Sequence, residues 1–89
     1  MKTYYIIVSG DVQGVFFRAS AKEKADELGI VGYAKNLPDG DVEIVAQGRE
    51  EALEHLISWC NHGPESATVE NVEAEEMKND TLYDAFSVK

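Results

Sequence analysis

The residues with the clearest capacity for chemistry lie between positions 9 and 20, in the stretch SGDVQGVFFRAS. Gly10 and Gly14 bracket a short loop, and Arg18 follows where a helical pattern begins. Because glycine tolerates positive φ, main-chain N–H groups of such a loop can turn inward as a concave nest, and the first helical turn adds free donors. Arginine grips phosphate through two parallel hydrogen bonds. The stretch therefore predicts a cradle for an oxyanion or phosphate group.

The charge pattern supports this interpretation. First turns of helices usually carry Asp or Glu, yet the first acidic residue after the loop is Glu23. The whole chain has a formal net charge of −9 at pH 7, which disfavours nucleic acid, anionic membranes and small anions unless one local site opposes it. Taken alone, two glycines and an arginine are more often a steric requirement and a solvated surface residue than a binding site.

Two helices are predicted from apolar residues that recur every three or four positions. The first ends before Gly29, which supplies a left-handed stop, and its apolar face consists of Phe17, Ala21, Ala25 and Leu28. The second spans about residues 50–61 and ends before Gly63-Pro64; its apolar stripe consists of Leu53, Leu56, Ile57 and Cys60.

Strands are predicted over residues 3–9, on both arms of residues 31–48, and over residues 67–78 and 82–89. Val69 and Val72 are out of phase, which indicates a weaker strand with a bulge or a late start. In the last strand, Phe86 and Val88 are expected to point inward. The order βαββαβ plus a terminal strand predicts one α+β domain over residues 1–89, a ferredoxin-like two-layer sandwich in which two helices cover one face of an antiparallel sheet of four to five strands.

This layout places a second candidate, Asn36, near the loop. A right-handed crossover makes the first two strands parallel, so their carboxyl ends share one edge of the sheet. Asn36 closes the second strand, and an amide there can hold a water molecule. Starting the turn before LPDG is an equally common role for such an asparagine. The convergence of both features on one edge favours a site.

The residue types restrict the chemistry of that site. Neither segment holds a nucleophile beside a base, and neither holds a carboxylate cluster for a metal. Elsewhere in the chain, His55 and His62 are expected at the surface and Cys60 in the core. N–H groups, one arginine and one asparagine can hold a phosphoryl group and aim water at it, but the leaving group must then depart without a proton. A carboxylate does so because its conjugate acid has a pKa of ~4, which favours acyl phosphates as substrates.

Three segments, GDVQGVFFR (10–18), GYAKNLPDGDVE (32–43) and GPESATVENV (63–72), resemble the acylphosphatase family, and the resemblance covers essentially the whole chain. It implies hydrolysis of an acyl phosphate to a carboxylate and inorganic phosphate, without cofactor or metal. It assigns phosphate binding to Arg18 and orientation of the attacking water to Asn36. The phosphate loop that it implies is the main chain of Val12, Gln13, Gly14, Val15, Phe16, Phe17 and Arg18.

Two positions depart from the family pattern. Asp11 stands where many members have a basic residue, and we expect its side chain to point outward from the nest. Phe16 stands where glycine is common, and we expect little harm because other members carry a bulky residue there.

The expected partners are a small acyl phosphate and inorganic phosphate, the latter as product and competitive inhibitor. One cysteine and no long apolar run favour a cytoplasmic protein without a membrane span, and the absence of heptads favours a monomer. Two alternatives stay open. One is a non-catalytic ferredoxin-like module that binds anions or has a regulatory role. As an RNA-binding module it could use the rings of Tyr4, Tyr5 and Tyr33, but the pI of about 4.5 argues against RNA binding. The other is a remnant that keeps the nest but has lost turnover.

Overall fold

The computed structural model describes residues 1–78 and 81–89. In these residues the chain forms five strands and two helices, in the predicted order. Their bounds are β1 Lys2–Asp11, α1 Phe17–Leu28, β2 Val31–Asn36, β3 Val42–Gly48, α2 Glu50–Cys60, β4 Thr68–Met77 and β5 Phe86–Val88.

The strands form one sheet in the order β4-β1-β3-β2-β5. Neighbouring pairs are antiparallel except β2 and β5, which run parallel. The expectation of a purely antiparallel sheet is therefore wrong at this edge. The chain reverses direction after β4, so β5 returns along β2 in the same direction. The α+β, ferredoxin-like fold class is confirmed.

The core lies between the sheet and the two helices. The helix-facing residues of β1, Ile6 and Val8, are fully buried. The predicted apolar faces of both helices point into the same layer, and their fully buried members are Phe17, Ala21, Ala25, Leu53, Leu56 and Cys60. Burying a large apolar side chain stabilises the fold by about 1.5–3 kcal/mol, so this layer fixes how α1 sits on the sheet.

A β-bulge reshapes the end of β1. Ser9 pairs with Asn71 and Gly10 pairs with Val69, so Glu70 is an extra residue on β4. The bulge predicted from the valine phases is confirmed. Gly10 has a φ of 127°, and a Cβ there would lie 2.3 Å from the carbonyl oxygen of Thr68. Only glycine fits this close approach, which directs the chain into the loop before α1.

The final strand is shorter than predicted. Phe86 is 2% exposed, as expected, but Val88 is 43% exposed, so its predicted inward burial is wrong. As the edge strand, β5 has a neighbour on one side only, and its second helix-facing position is not enclosed. Among the described residues, no helix has the length and apolar character needed to cross a membrane.

Candidate active site

The loop between β1 and α1 has the backbone of an anion nest. Gly14 has a φ of 74° and Phe16 a φ of 64°, whereas Val15 between them does not have a positive φ. Alternation of this kind turns successive N–H groups toward one concave side. Phe16 is the only residue other than glycine with a positive φ in the described chain, at a cost of about 1–2 kcal/mol.

The start of α1 adds donors to this nest. The N-cap of α1 is Phe16, whose side chain has no polar atom with which to cap the helix, and the first turn contains no acidic residue. The N–H groups of the first helical turn have no partners within the helix. Together with the positive end of the helix dipole, they attract a negative group.

The side chains at both ends of the loop are anchored in the core. Val12 and Phe17 are each 1% exposed, and the Phe17 ring contacts the Trp59 ring with centroids 5.2 Å apart. Between these anchors Gly14 is exposed, and a Cβ there would meet nothing within 4 Å. The loop is thus fixed at its ends and open at its middle.

Ser66, in the connection between α2 and β4, supports the loop from outside. Its Oγ donates to the carbonyl oxygen of Val15 at 2.7 Å. In a trans peptide the C=O and the following N–H point in opposite directions, so this bond turns the N–H of Phe16 away from Ser66. A polar contact outside the loop therefore helps to set the direction of a main-chain donor.

Gln13 connects the loop to the turn between β2 and β3. Its Nε2 donates to the carbonyl oxygens of Leu37 and Asp41, at 2.7 and 2.8 Å. The same turn is closed by the Leu37 N–H, which donates to the Asp41 oxygen at 2.8 Å. The side chain of a loop residue thus holds the segment that follows Asn36.

Asn36 ends β2 on the face covered by the helices. It pairs with Val42, which pairs in turn with Val8 of β1, so the three side chains share one row. The Oδ1 of Asn36 is buried and accepts no hydrogen bond from the described residues. A buried acceptor without a partner costs about 1–3 kcal/mol. This oxygen is therefore suited to accept a hydrogen bond from a bound molecule.

Arg18 reaches the same edge from the first turn of α1. Its Nη1 donates to the main-chain oxygen of Lys89, and the Lys89 N–H donates to the Ala34 oxygen at 2.8 Å. The guanidinium therefore lies beside β5, next to the strand that ends at Asn36. It carries five N–H donors, and among the described residues one is used by this bond. The loop, Arg18 and Asn36 meet at one edge.

Other candidate groups lie elsewhere. His55 and His62 are exposed and Cys60 is buried; burial raises the pKa of the Cys60 thiol to about 12, which keeps it protonated and unreactive at neutral pH. The described residues contain no group of three or more His, Cys, Asp or Glu that could hold a metal ion. Asp11 ends β1 and is exposed.

The uncovered face of the sheet does not favour RNA binding. Tyr5 and Tyr33 donate to the two carboxylate oxygens of Glu43, at 2.7 and 3.0 Å. Burial and then the bond to Glu43 raise the pKa of Tyr33 to about 12. Glu73 and Glu75 flank this face. Carboxylates beside the rings repel a phosphate backbone, whereas RNA-stacking surfaces are basic.

Sequence reasoning missed two side chains. It assigned Gln13 a main-chain role only, and it did not single out Ser66. The hydrogen bonds of these two side chains join residues at least 24 positions apart in the sequence. The available signal was weak: Gln13 is the one residue with a polar side chain in the stretch VQGVFF.

Comparisons of the sequence and of the structure with known proteins all identify the same family. The sequence model of one family, described as Acylphosphatase, matches residues 4–88. An acylphosphatase of Methylococcus capsulatus is 46% identical over 88 residues, which cover 99% of this chain and 96% of that protein. The structure of an acylphosphatase from Coxiella burnetii superposes with a TM-score of 0.94 at 44% identity, covering 99% of this chain and 92% of that one. That of acylphosphatase from Bacillus subtilis gives 0.95 at 36% identity, covering 100% and 99%.

Proposed function

Because the chain belongs to the acylphosphatase family and is an enzyme that hydrolyses acyl phosphates, we propose that Arg18, Asn36 and the main chain of residues 12–18 perform this reaction. The observation that carries the proposal is the meeting of three features at one sheet edge. These are the alternating loop, an arginine with free donors, and a buried asparagine oxygen without a partner among the described residues.

In the first step, the phosphoryl group of the substrate binds in the nest. Its oxygens accept hydrogen bonds from the main-chain N–H groups of the loop and of the first turn of α1. The donors of Arg18 that Lys89 leaves free bind the same group and stabilise the charge that builds up on its oxygens. The bond to Lys89 holds the guanidinium in place for this role.

In the second step, water attacks phosphorus. Asn36 Oδ1 accepts a hydrogen bond from the water and directs its oxygen at the phosphorus atom, in line with the acyl oxygen that leaves. A bond forms between phosphorus and the water oxygen while the bond from phosphorus to the acyl oxygen breaks. Such a loose transition state requires positioning and charge stabilisation more than covalent help.

Both protons of the water are accounted for without an enzyme base. The carboxylate product leaves unprotonated because its conjugate acid has a pKa of ~4. One proton of the water moves to an oxygen of the transferred phosphoryl group, and the other stays on the oxygen that attacked. The products are a carboxylate and inorganic phosphate. A pH–rate profile that required an enzyme base titrating near neutrality would contradict this step.

The same cradle makes inorganic phosphate a competitive inhibitor as well as a product. The other properties that we propose are activity without a metal or cofactor, a monomeric state, no association with nucleic acid or membrane, and a cytoplasmic location. Full turnover in EDTA and elution as a monomer in size-exclusion chromatography would support the first two.

The role of Arg18 is tested by benzoyl phosphate hydrolysis with added phosphate as competitor. We expect Arg18→Ala to lower kcat/KM by about 10³ and to nearly abolish phosphate inhibition, because the charged donor is lost from the transition state. Arg49→Ala is the matched control, since Arg49 is exposed at the N-cap of α2, and it should behave as wild type. Equal losses in both variants would contradict the proposal.

The role of Asn36 is tested in the same assay. Asn36→Ala should lower kcat by about 10²–10³, as for loss of one preorganised group, while phosphate still binds because the nest and Arg18 remain. Asn61→Ala is the control, because Asn61 is exposed and its side chain bonds only the Ile57 oxygen within the described chain. Wild-type kcat in Asn36→Ala would remove Asn36 from the mechanism.

A further inference from the structure

We propose that Gln13 is a positioning residue for the attacking water. Its side-chain amide holds the turn that follows Asn36 at a fixed distance from the phosphate loop, so the water and the phosphoryl group are kept in register. This inference rests on the function proposed above, because it acts through Asn36. It goes further by giving the Gln13 side chain a task separate from phosphate binding by the loop.

The geometry is that of a two-point brace. A glutamine amide has two N–H donors, and the Nε2 of Gln13 donates to two acceptors, the oxygens of Leu37 and Asp41, at 2.7 and 2.8 Å. These two carbonyls stand at the base of the turn between β2 and β3. Leu37 is the residue directly after Asn36, so the brace ends one peptide from the side chain that it positions.

No other side chain in the described residues bridges these two segments. Among residues 1–78 and 81–89, the two bonds of Gln13 are the only side-chain hydrogen bonds between the loop 12–18 and the turn 37–41. Ser66 also supports the loop, but it does so through Val15 from the connection before β4. Beyond the strand pairing that joins Asn36 to β1 through Val42, the side chain that ties the loop to the turn is therefore that of Gln13 and not that of Ser66.

A loss of this brace should affect the two parts of the reaction unequally. In-line attack requires the reacting atoms about 3–3.5 Å apart, and a shift of about 1 Å can cost 10²-fold in rate. Phosphate binding depends on main-chain donors and Arg18, which do not need the turn. Loss of the brace should therefore lower kcat and leave the inhibition constant of phosphate nearly unchanged.

The first test compares two unbranched replacements in benzoyl phosphate hydrolysis. Gln13→Met keeps the length but removes both donors, and it should lower kcat about 10- to 100-fold with the inhibition constant of phosphate within about twofold. Gln13→Lys restores donors and should recover most of the kcat that Gln13→Met loses, while its positive charge lowers the inhibition constant of phosphate. If Gln13 only packed against its neighbours, Gln13→Lys would have no higher kcat than Gln13→Met. A raised inhibition constant of phosphate with unchanged kcat in Gln13→Met would overturn the proposal.

Gln47→Met provides the matched control. Gln47 is 3% exposed, and its Nε2 also donates two bonds, to Thr3 Oγ1 at 3.1 Å and to the Thr81 oxygen at 2.8 Å. Gln47 lies next to the last residue of β3, at the opposite end of that strand from Val42. For Gln47→Met we expect a lower Tm than that of wild type, with wild-type kcat and inhibition constant of phosphate. A fall in kcat like that of Gln13→Met would show that any lost internal amide has this effect.

The second test places Gln13→Met and Gln13→Lys in the Asn36→Ala background. If Gln13 acts through Asn36, replacing Gln13 by Met in that background should change kcat by less than about twofold. A full additional loss would overturn the inference while leaving the role of Asn36 intact, whereas wild-type kcat in Asn36→Ala alone would overturn the proposed function. Should Gln13→Met fail to fold, Gln13→Lys decides: a kcat more than about tenfold below wild type contradicts the brace.

Discussion

The two helices lie on the same face of the sheet but begin in opposite ways. The N-cap of α2 is Arg49, in extended conformation, and the first turn of α2 contains Glu50 and Glu51. The N-cap of α1 is Phe16, in left-handed conformation, and its first turn contains no acidic residue. Instead, Arg18 occupies that turn and donates to the main-chain oxygen of Lys89, directly after β5.

The start of α2 is stabilised by acidic residues of its own chain, whereas the start of α1 is the one at which we propose that an anion binds. Acidic residues in the first turn interact with the helix dipole and contribute about 0.3–1 kcal/mol each at an exposed site. The start of α2 makes this interaction within the chain. The start of α1 forgoes it and carries a left-handed residue as well, so its free N–H groups stay available for an anion. In a chain of net charge −9, such a helix start is suited to the anion binding that we propose for it.

Among the changes that test this comparison of helix starts, the largest effect is expected when α1 is given the acidic start of α2. Ala19 is exposed in the first turn of α1, and Ala19→Glu should raise the inhibition constant of phosphate roughly tenfold. A unit charge about 6 Å from a dianion in water adds about 1.4 kcal/mol of repulsion. The free energy of unfolding should rise by about 0.3–1 kcal/mol because the dipole interaction is restored. Inhibition kinetics and urea unfolding measure the two quantities.

Glu51→Gln is the reciprocal change in α2. It should lower the free energy of unfolding by about 0.3–1 kcal/mol without changing phosphate inhibition. If Ala19→Glu left phosphate binding unchanged, or if Glu51→Gln weakened it, the two helix starts would not differ in the way described.

A smaller effect is expected at Ser66. Ser66→Ala removes the bond to the Val15 oxygen, so the Phe16 N–H is less firmly directed. Since one hydrogen bond contributes about 0.5–1.5 kcal/mol, the inhibition constant of phosphate should rise about two- to tenfold. The two variants should therefore differ in what changes: Ser66→Ala should raise the inhibition constant of phosphate, whereas Gln13→Met should lower kcat. Ser58→Ala, at an exposed serine of α2, is the control. Wild-type inhibition in Ser66→Ala would contradict this account.

At Phe16 the expected effect is on stability and not on phosphate binding. Phe16→Gly should stabilise the chain by about 0.5–1 kcal/mol, because the left-handed cost of about 1–2 kcal/mol is removed and part of it is offset by the greater backbone entropy of glycine. Phe16 is 77% exposed, so little apolar burial is lost. Phe16→Ala keeps the Cβ and serves as control. Thermal unfolding should give a Tm roughly 4 °C higher for glycine; equal Tm values would mean that the left-handed cost is absent.

Most of the fold could be predicted because local patterns encode it. The periodicity of α1, the stop at Gly29 and the phase slip between Val69 and Val72 are each visible within a few residues, and each is confirmed. The parallel pairing of β5 with β2 and the exposure of Val88 were not predicted. Both depend on which edge the last strand joins, and a three-residue strand carries no pattern that specifies its neighbour.

The candidate site was predictable in outline only. Topology alone places Arg18 and Asn36 at one edge, since the ends of parallel strands meet there. The left-handed conformation of Phe16 was not predicted, although glycine is common at this position in the family, because phenylalanine adopts that conformation only where the surrounding structure compensates its cost. The bonds of Gln13 and Ser66 join distant segments, so they follow from the folded geometry and not from spacing along the chain.

The most direct test of the anion nest is an amide-resolved titration of the ¹⁵N-labelled protein with inorganic phosphate. We predict saturable shifts of the N–H signals of residues 14–18, with a dissociation constant equal to the inhibition constant of phosphate in benzoyl phosphate hydrolysis, and no comparable shifts at residues 50–53 of α2. In Arg18→Ala the shifts should be largely lost. Shifts centred on α2, or none at residues 14–18 at phosphate concentrations that inhibit turnover, would contradict the account.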